Sequence, residues 1–223
     1  MSDARLTSDP YLVPHLADSA LVTIDLQRDF LSDSPYGIPG TTEVLPRVLR
    51  LVEEFRAAGR PVLHIVRLYE KGGGNADLVR RTLLADGTEI VAPGSPGSAL
   101  APGLAPEGAP ALDPDRLLRG PGHQQLGPRE YAVYKPRWGA FYRTSLEGLL
   151  AGFGVDTLVF AGCNLPNCPR ASIIEASERD FRVVAVEDAL SRTSEQGLAE
   201  LSGIGVQLLT TDELTALLAE TRP

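Results

Sequence analysis

The chain has 223 residues, 43% hydrophobic and 22% charged, a balance that suits one folded domain with a full core. Its 21 basic and 29 acidic residues give a net charge of −8 with no Lys/Arg run, which argues against a nucleic-acid partner. No apolar run reaches membrane-spanning length, residues 1–19 lack the pattern of a secretory signal, and a Cys count of 2 makes no disulfide framework; the expectation is a cytoplasmic protein with free thiols and no membrane partner.

In chain order, residues 1–19 read as an N-terminal arm broken by Pro10 and Pro14, and residues 20–223 as the domain. ALVTIDL (20–26) is an apolar run with a charge near its end, the pattern of a strand buried on both faces. A Ser/Pro/Gly-rich loop follows over 31–40. A helix is expected over 46–58, with Val48, Leu51, Val52 and Phe55 on one stripe and Gly59 as its stop. PVLHIVRLY (61–69) predicts the second strand, 70–75 a glycine-rich loop and 76–84 a short helix. Residues 86–128 are dense in Pro and Gly, too long for an ordinary connection and without a readable period. Strands are then expected over 131–135, 157–162, 181–188 and 206–210, alternating with helices over 144–150, 169–179, 194–201 and 212–218. This is an α/β chain with a six-stranded, mostly parallel sheet and helices on both faces.

In open α/β sheets, ligands bind beyond the carboxyl ends of the strands. Asp25, Lys135 and Cys168 all fall at or just past such ends, and so on one rim. Each has an ordinary reading by itself: a capping aspartate, a solvated lysine, a small buried thiol. Together they describe acyl-transfer chemistry without histidine. Cys168 lies where a turn enters a helix, so free N–H groups and the helix dipole are expected to lower its thiol pKa and to hold an oxyanion. Asp25 can take the thiol proton and return it to a leaving amine, while Lys135 keeps Asp25 ionised. Cys163 with Cys168 also leaves open a metal pair, a disulfide or a reversible redox pair. No further Cys or well-spaced His completes a four-ligand site, so no metal and no cofactor are expected.

The sequence resembles the isochorismatase-like cysteine hydrolases, the superfamily of nicotinamidases, N-carbamoylsarcosine amidohydrolases, ureidoacrylate amidohydrolases and streptothricin hydrolase. ALVTIDLQRDF matches the strand-one motif around Asp25, with Asp29 and Phe30 closing it. YKPRWGAFYRTSL matches the K-x-x-x-x-A-F-x-x-T-x-L pattern at Lys135, Gly162 to Cys168 matches the glycine-to-nucleophile spacing, and VVAVEDALS matches the acid–alanine segment. The resemblance implies a three-layer sandwich in which Asp25, Lys135 and Cys168 hydrolyse a small-molecule C–N bond (amide, ureide or lactam) through a thioester. It also implies a non-proline cis peptide, expected at Asn164–Leu165, with the Leu165 and Cys168 N–H groups as the oxyanion hole, and a homodimer or homotetramer. The zinc-binding histidines of nicotinamidases are not matched in HIVRLYEKGGGNAD, where His64 lies within the strand; vinyl-ether-cleaving isochorismatases lack the nucleophilic cysteine.

The chain departs from the family's pattern at Leu165 and Pro169, where Thr and Val are common. The expected pocket comprises Phe30, Arg67, Tyr69, Trp138 and Phe141, with Arg67 open to a substrate carboxylate or to Glu70 or Asp77. Cys163 is expected to be structural. The alternatives are an inactive small-molecule-binding or scaffold protein of the same fold and a dithiol redox protein using Cys163 and Cys168.

Overall fold

The computed structural model describes residues 6–221. The N-terminal arm therefore lies partly outside the described residues. Residues 8–12 of it are exposed, but its end packs against the domain: Leu16 is buried, and the His15 N–H donates to Thr157 Oγ1 at 3.0 Å.

Among the described residues, seven strands form one sheet: β1 (Ser19–Ile24), β2 (Val62–Val66), β3 (His123–Gly127), β4 (Glu130–Tyr134), β5 (Thr157–Gly162), β6 (Arg182–Leu190) and β7 (Gln207–Leu209). Their order is β3-β4-β2-β1-β5-β6-β7, parallel except for the β3–β4 pair. The helices are α1 (Thr41–Ala57), α2 (Leu78–Ala85), α3 (Pro114–Leu118), α4 (Leu146–Phe153), α5 (Cys168–Ser177), α6 (Glu195–Gly203) and α7 (Thr211–Glu220). The α/β class and the helix-covered parallel sheet agree with the sequence reading, and the strand count is corrected from six to seven. The added strand, β3, lies in the unreadable stretch before residue 128. It is a polar antiparallel edge strand, HQQLG, with alternating burial and a register shift between Gln125 and Gly127.

The apolar strands are continuous runs because both faces of the sheet are covered. Along β1, Leu21 joins the core beneath α1 and α7, while Ala20, Val22 and Ile24 join the core beneath α4 and α5. β5 divides likewise, with Val159 and Ala161 on the first side and Leu158 and Phe160 on the second. Helix α1 starts five residues before the expected position and carries Pro46 inside it. Proline there removes one intrahelical donor near the start, a loss that four buried residues of its stripe, Val48, Leu51, Val52 and Phe55, outweigh.

The topology also sets the site. Strands β2, β4 and β3 extend to one side of β1, and β5, β6 and β7 to the other. The carboxyl ends of β1 and β5 therefore flank the point where the strand order reverses, where a crevice opens.

Candidate active site

Asp25 follows the last residue of β1 with φ +54°, a left-handed conformation that aspartate tolerates better than branched residues do. Its N–H donates to the Ile65 carbonyl at 2.9 Å, which ties it to β2. Lys135 follows β4, two strands away, and its N–H donates to the Val66 carbonyl at 3.0 Å. Its side chain is fully buried and crosses the end of β2, so that Nζ donates to Asp25 Oδ2 at 2.8 Å and to the Trp138 carbonyl at 2.9 Å. Cys168 opens α5 and lines the same cavity as Asp25. The structure thus brings together the three reactive side chains that the strand ends single out.

The loop after Lys135 is held in place by α5. Ala140 N–H donates to Ser172 Oγ at 3.1 Å, Ser172 Oγ donates to the Cys168 carbonyl at 2.7 Å, and Phe141 N–H donates to Glu175 Oε2 at 2.8 Å. The Lys135 loop and the cysteine helix are consequently one rigid unit. Phe141 does not reach the pocket: it is 5% exposed, with its ring 5.9 Å from that of Phe181 and the Arg179 guanidinium 4.8 Å over it, so it belongs to the core. Phe30, Arg67, Tyr69 and Trp138 do line the cavity.

The turn before Cys168 corrects two expectations. The cis peptide lies at Cys163–Asn164, one bond earlier than Asn164–Leu165. Leu165 is not free to hold an oxyanion, because its N–H donates to the Ser191 carbonyl at 2.9 Å and its side chain is in the core. Among the described residues, the N–H groups of Asn164 and Cys168 have no acceptor. Asn164, which sequence reasoning passed over, therefore stands where Leu165 was expected. Cys163 is buried with Sγ 3.6 Å from the Asp25 carbonyl, and both cysteines are free thiols.

Arg67 is buried and bonded at every side: its N–H to Gln27 Oε1 at 2.7 Å, its guanidinium to the Tyr69 hydroxyl at 2.9 Å and to the Asp77 carboxylate. Asp77 is thus its ion-pair partner, while Glu70 pairs with Arg119. Asp77 was among the partners expected for Arg67, whereas Gln27, Ile38, Arg80 and Asn167, and Asn164 as a cavity residue, were not anticipated. Gln27, two residues past Asp25 on the same strand end, lies inside the ALVTIDLQRDF motif and could have been found there.

The electrostatics also depart from expectation. Burial pushes the Cys168 thiol up, and the Asp25 carboxylate adds to this while Lys135 opposes it, leaving the thiol pKa at about 12 rather than lowered. Burial alone would pull the Lys135 ammonium down, but the Asp25 carboxylate holds it above the ordinary lysine value. The resting site is therefore an ion pair beside a protonated thiol. Asp25 Oδ1 is buried without a hydrogen-bond partner, an acceptor ready for that proton. A larger cleft of about 480 Å³ shares Tyr69 with this cavity but contains none of the three reactive side chains. Among the described residues no group of three His, Cys, Asp or Glu side chains is placed to hold a metal; His64 is bonded between Thr23 and Glu130 inside the sheet.

A parallel sheet whose switch-point crevice holds an Asp–Lys pair and a cysteine at a helix start defines a small-molecule site of the α/β class. The sequence profile of the isochorismatase domain matches residues 19–117 and 121–213, and the chain belongs to that family. It is 29% identical over 211 residues to a protein of Arabidopsis thaliana described as a probable inactive nicotinamidase, covering 91% of this chain and 97% of that one. It is 28% identical to the ureidoacrylate amidohydrolase of Methylobacterium radiotolerans, covering 82% of this chain and 70% of the relative. A crystal structure of an isochorismatase family protein from Desulfovibrio vulgaris is 31% identical, superimposes with a TM-score of 0.77, and covers 91% of this chain and 98% of its own.

Proposed function

We propose that the protein is a cysteine hydrolase that cleaves a C–N bond in a small amide, ureide or lactam. The observation that carries this reading is the Lys135–Asp25 pair at 2.8 Å sharing one cavity with the Cys168 thiol. Cys168 Sγ attacks the carbonyl carbon as Asp25 Oδ1 takes the thiol proton. The two steps are coupled because a thiol held at about 12 supplies little thiolate at neutrality. The Asn164 and Cys168 N–H groups receive the developing oxyanion. Asp25 then gives its proton to the leaving nitrogen, and the thioester remains. Water hydrolyses it with Asp25 as base, which releases the acid and restores the thiol. Lys135 holds Asp25 in place and keeps positive charge beside the negative transition state.

The relative described as a probable inactive nicotinamidase motivates a second reading, a non-catalytic binding protein of the same fold. One assay separates the two: release of ammonia or amine from a panel of amides, ureido acids and lactams. Cys168→Ala and Asp25→Asn are expected to lose at least about a thousandfold in rate, with Cys163→Ala retaining turnover. Turnover that survives in C168A overturns the mechanism, and loss of turnover in C163A favours the dithiol redox alternative. We read the protein as cytoplasmic, working without a cofactor, and as a homodimer or homotetramer, which light scattering on the eluting protein tests.

A further inference from the structure

Cys168, Ser172 and Glu175 stand four and three residues apart on α5, and so on one face of the helix. Of the three, the proposed reaction uses Cys168 alone. Ser172 is fully buried, and its hydroxyl is engaged as donor and as acceptor: it donates to the Cys168 carbonyl at 2.7 Å and accepts the Ala140 N–H at 3.1 Å. The Glu175 carboxylate accepts the Phe141 N–H at 2.8 Å. It lies against Gly139, where a Cβ would come within 2.3 Å of its carboxyl carbon. Neither Ser172 nor Glu175 lines the cavity, so neither meets what binds there.

The loop these two side chains hold is the loop that holds Lys135. Residues 139–141 follow directly on Trp138, whose carbonyl accepts from Lys135 Nζ at 2.9 Å, and the same Nζ reaches Asp25 Oδ2 at 2.8 Å. Hydrogen bonds and the backbone of 138–140 therefore link the Cys168 carbonyl to the Asp25 carboxylate, by way of Ser172, Ala140, Trp138 and Lys135. The link matters because the thiol and its base stand on different elements. A misplacement of about 1 Å between reacting groups costs on the order of a hundredfold in rate. We infer that Ser172 and Glu175 are positioning residues: they fix the Lys135 loop to the helix of the nucleophile, and so set Asp25 relative to the Cys168 thiol. The kinetic consequence rests on the hydrolase reading; the placement of Lys135 Nζ does not.

The lysine content makes that placement directly observable. The chain has only two lysines, Lys71, which is exposed, and Lys135, which is fully buried. Protein labelled with [ζ-15N]lysine is expected to show one slowly exchanging ammonium signal, from Lys135, and Lys71→Arg leaves it as the single lysine and secures the assignment. In Ser172→Ala this signal is expected to shift and to exchange with solvent at least about tenfold faster. Glu175→Ala, and Gly139→Ala, whose Cβ displaces the Glu175 carboxylate, remove the second anchor without opening the core and are expected to move the signal likewise. Glu175→Gln, which keeps an acceptor for the Phe141 N–H, is expected to restore it. Rates are compared well below each melting temperature, on whichever amide of the panel the wild type hydrolyses. There kcat is expected to fall about 10- to 100-fold in S172A and at least about threefold in E175A, with KM within about twofold. A role in stability alone lowers the melting temperature and nothing else. A wild-type ammonium signal in S172A and E175A, or a wild-type kcat in both, overturns the inference; should S172A not fold, E175A and G139A decide. Failure of the hydrolase reading shows separately, as turnover that persists in C168A or is missing in the wild type, and the ammonium signal then decides alone.

Discussion

Lys135 is a charge held entirely inside the protein, and its value depends on one partner. Replacing Lys135 with Met leaves the Asp25 carboxylate buried and uncompensated, which is expected to cost about 3–5 kcal/mol in urea denaturation as well as abolishing turnover. Asp25→Asn in the same chain is expected to return most of that stability but none of the activity, a coupling that a double-mutant cycle measures. The protonated thiol makes its own prediction. Because burial and Asp25 hold Cys168 at about 12, its alkylation by iodoacetamide in the free protein is expected to climb with pH from 7 to 9 without levelling. A plateau below pH 8 would reveal a preformed thiolate and contradict the coupled proton transfer. At this scale the sequence was most informative where strand ends bring residues to a shared rim, as with Asp25, Lys135 and Cys168. It was least informative in the turn, because which N–H is free depends on the backbone path, and the Leu165 N–H goes to Ser191. Phe141 failed as a pocket residue for a related reason: Trp138 of the same motif lines the cavity, but Phe141 packs against Phe181.

At the scale of elements, the end of β5 depends on its glycine. Gly162 has φ +120°, and a Cβ there would lie 2.3 Å from the Ile24 carbonyl oxygen and 2.7 Å from the Ile24 nitrogen. Neither atom can withdraw, since both belong to the adjoining strand β1, paired in register with Gly162. Gly162→Ala is therefore expected to lower stability by more than about 2 kcal/mol and to displace the Cys163 turn, lowering turnover beyond what the stability loss accounts for. A G162A protein with wild-type melting and rate would disprove this. Elements buried on both faces, such as β1 and β5, could be read as continuous apolar runs. β3 could not, because an antiparallel edge strand needs apolar residues on one face only and HQQLG shows little of that. The start of α1 was hidden by Pro46, which marks a beginning in sequence patterns but here sits one turn inside.

At the scale of the whole molecule, stability and chemistry occupy opposite ends of the sheet. Glu130 begins β4 and accepts from His64 Nε2 at 2.7 Å and from Arg56 at 2.6 and 2.8 Å, while Lys135 follows the other end of the same strand. Burial raises the Glu130 carboxyl, but its hydrogen bonds to Arg56 and His64 outweigh this and depress it below the ordinary value. A depressed carboxylate stabilises the fold above its unfolded pKa, and that contribution is lost as pH falls through the folded one. Glu130→Gln is expected to lower the melting temperature at neutral pH and to lessen the drop in melting temperature on acidification, with KM unaltered. A changed KM would show that the two ends communicate.

The position of Arg80 has a consequence for how the cavity could be rebuilt. The reacting groups are anchored to strand ends and to α5, whereas Arg80 rides on α2, a short helix whose Leu78 and Val79 are 79% and 71% exposed. The cavity wall is thus shared between the strand-end frame and one short helix. Exchanging residues 78–85 for a segment of different charge would recharge that wall while Asp25, Lys135 and Cys168 keep their anchors.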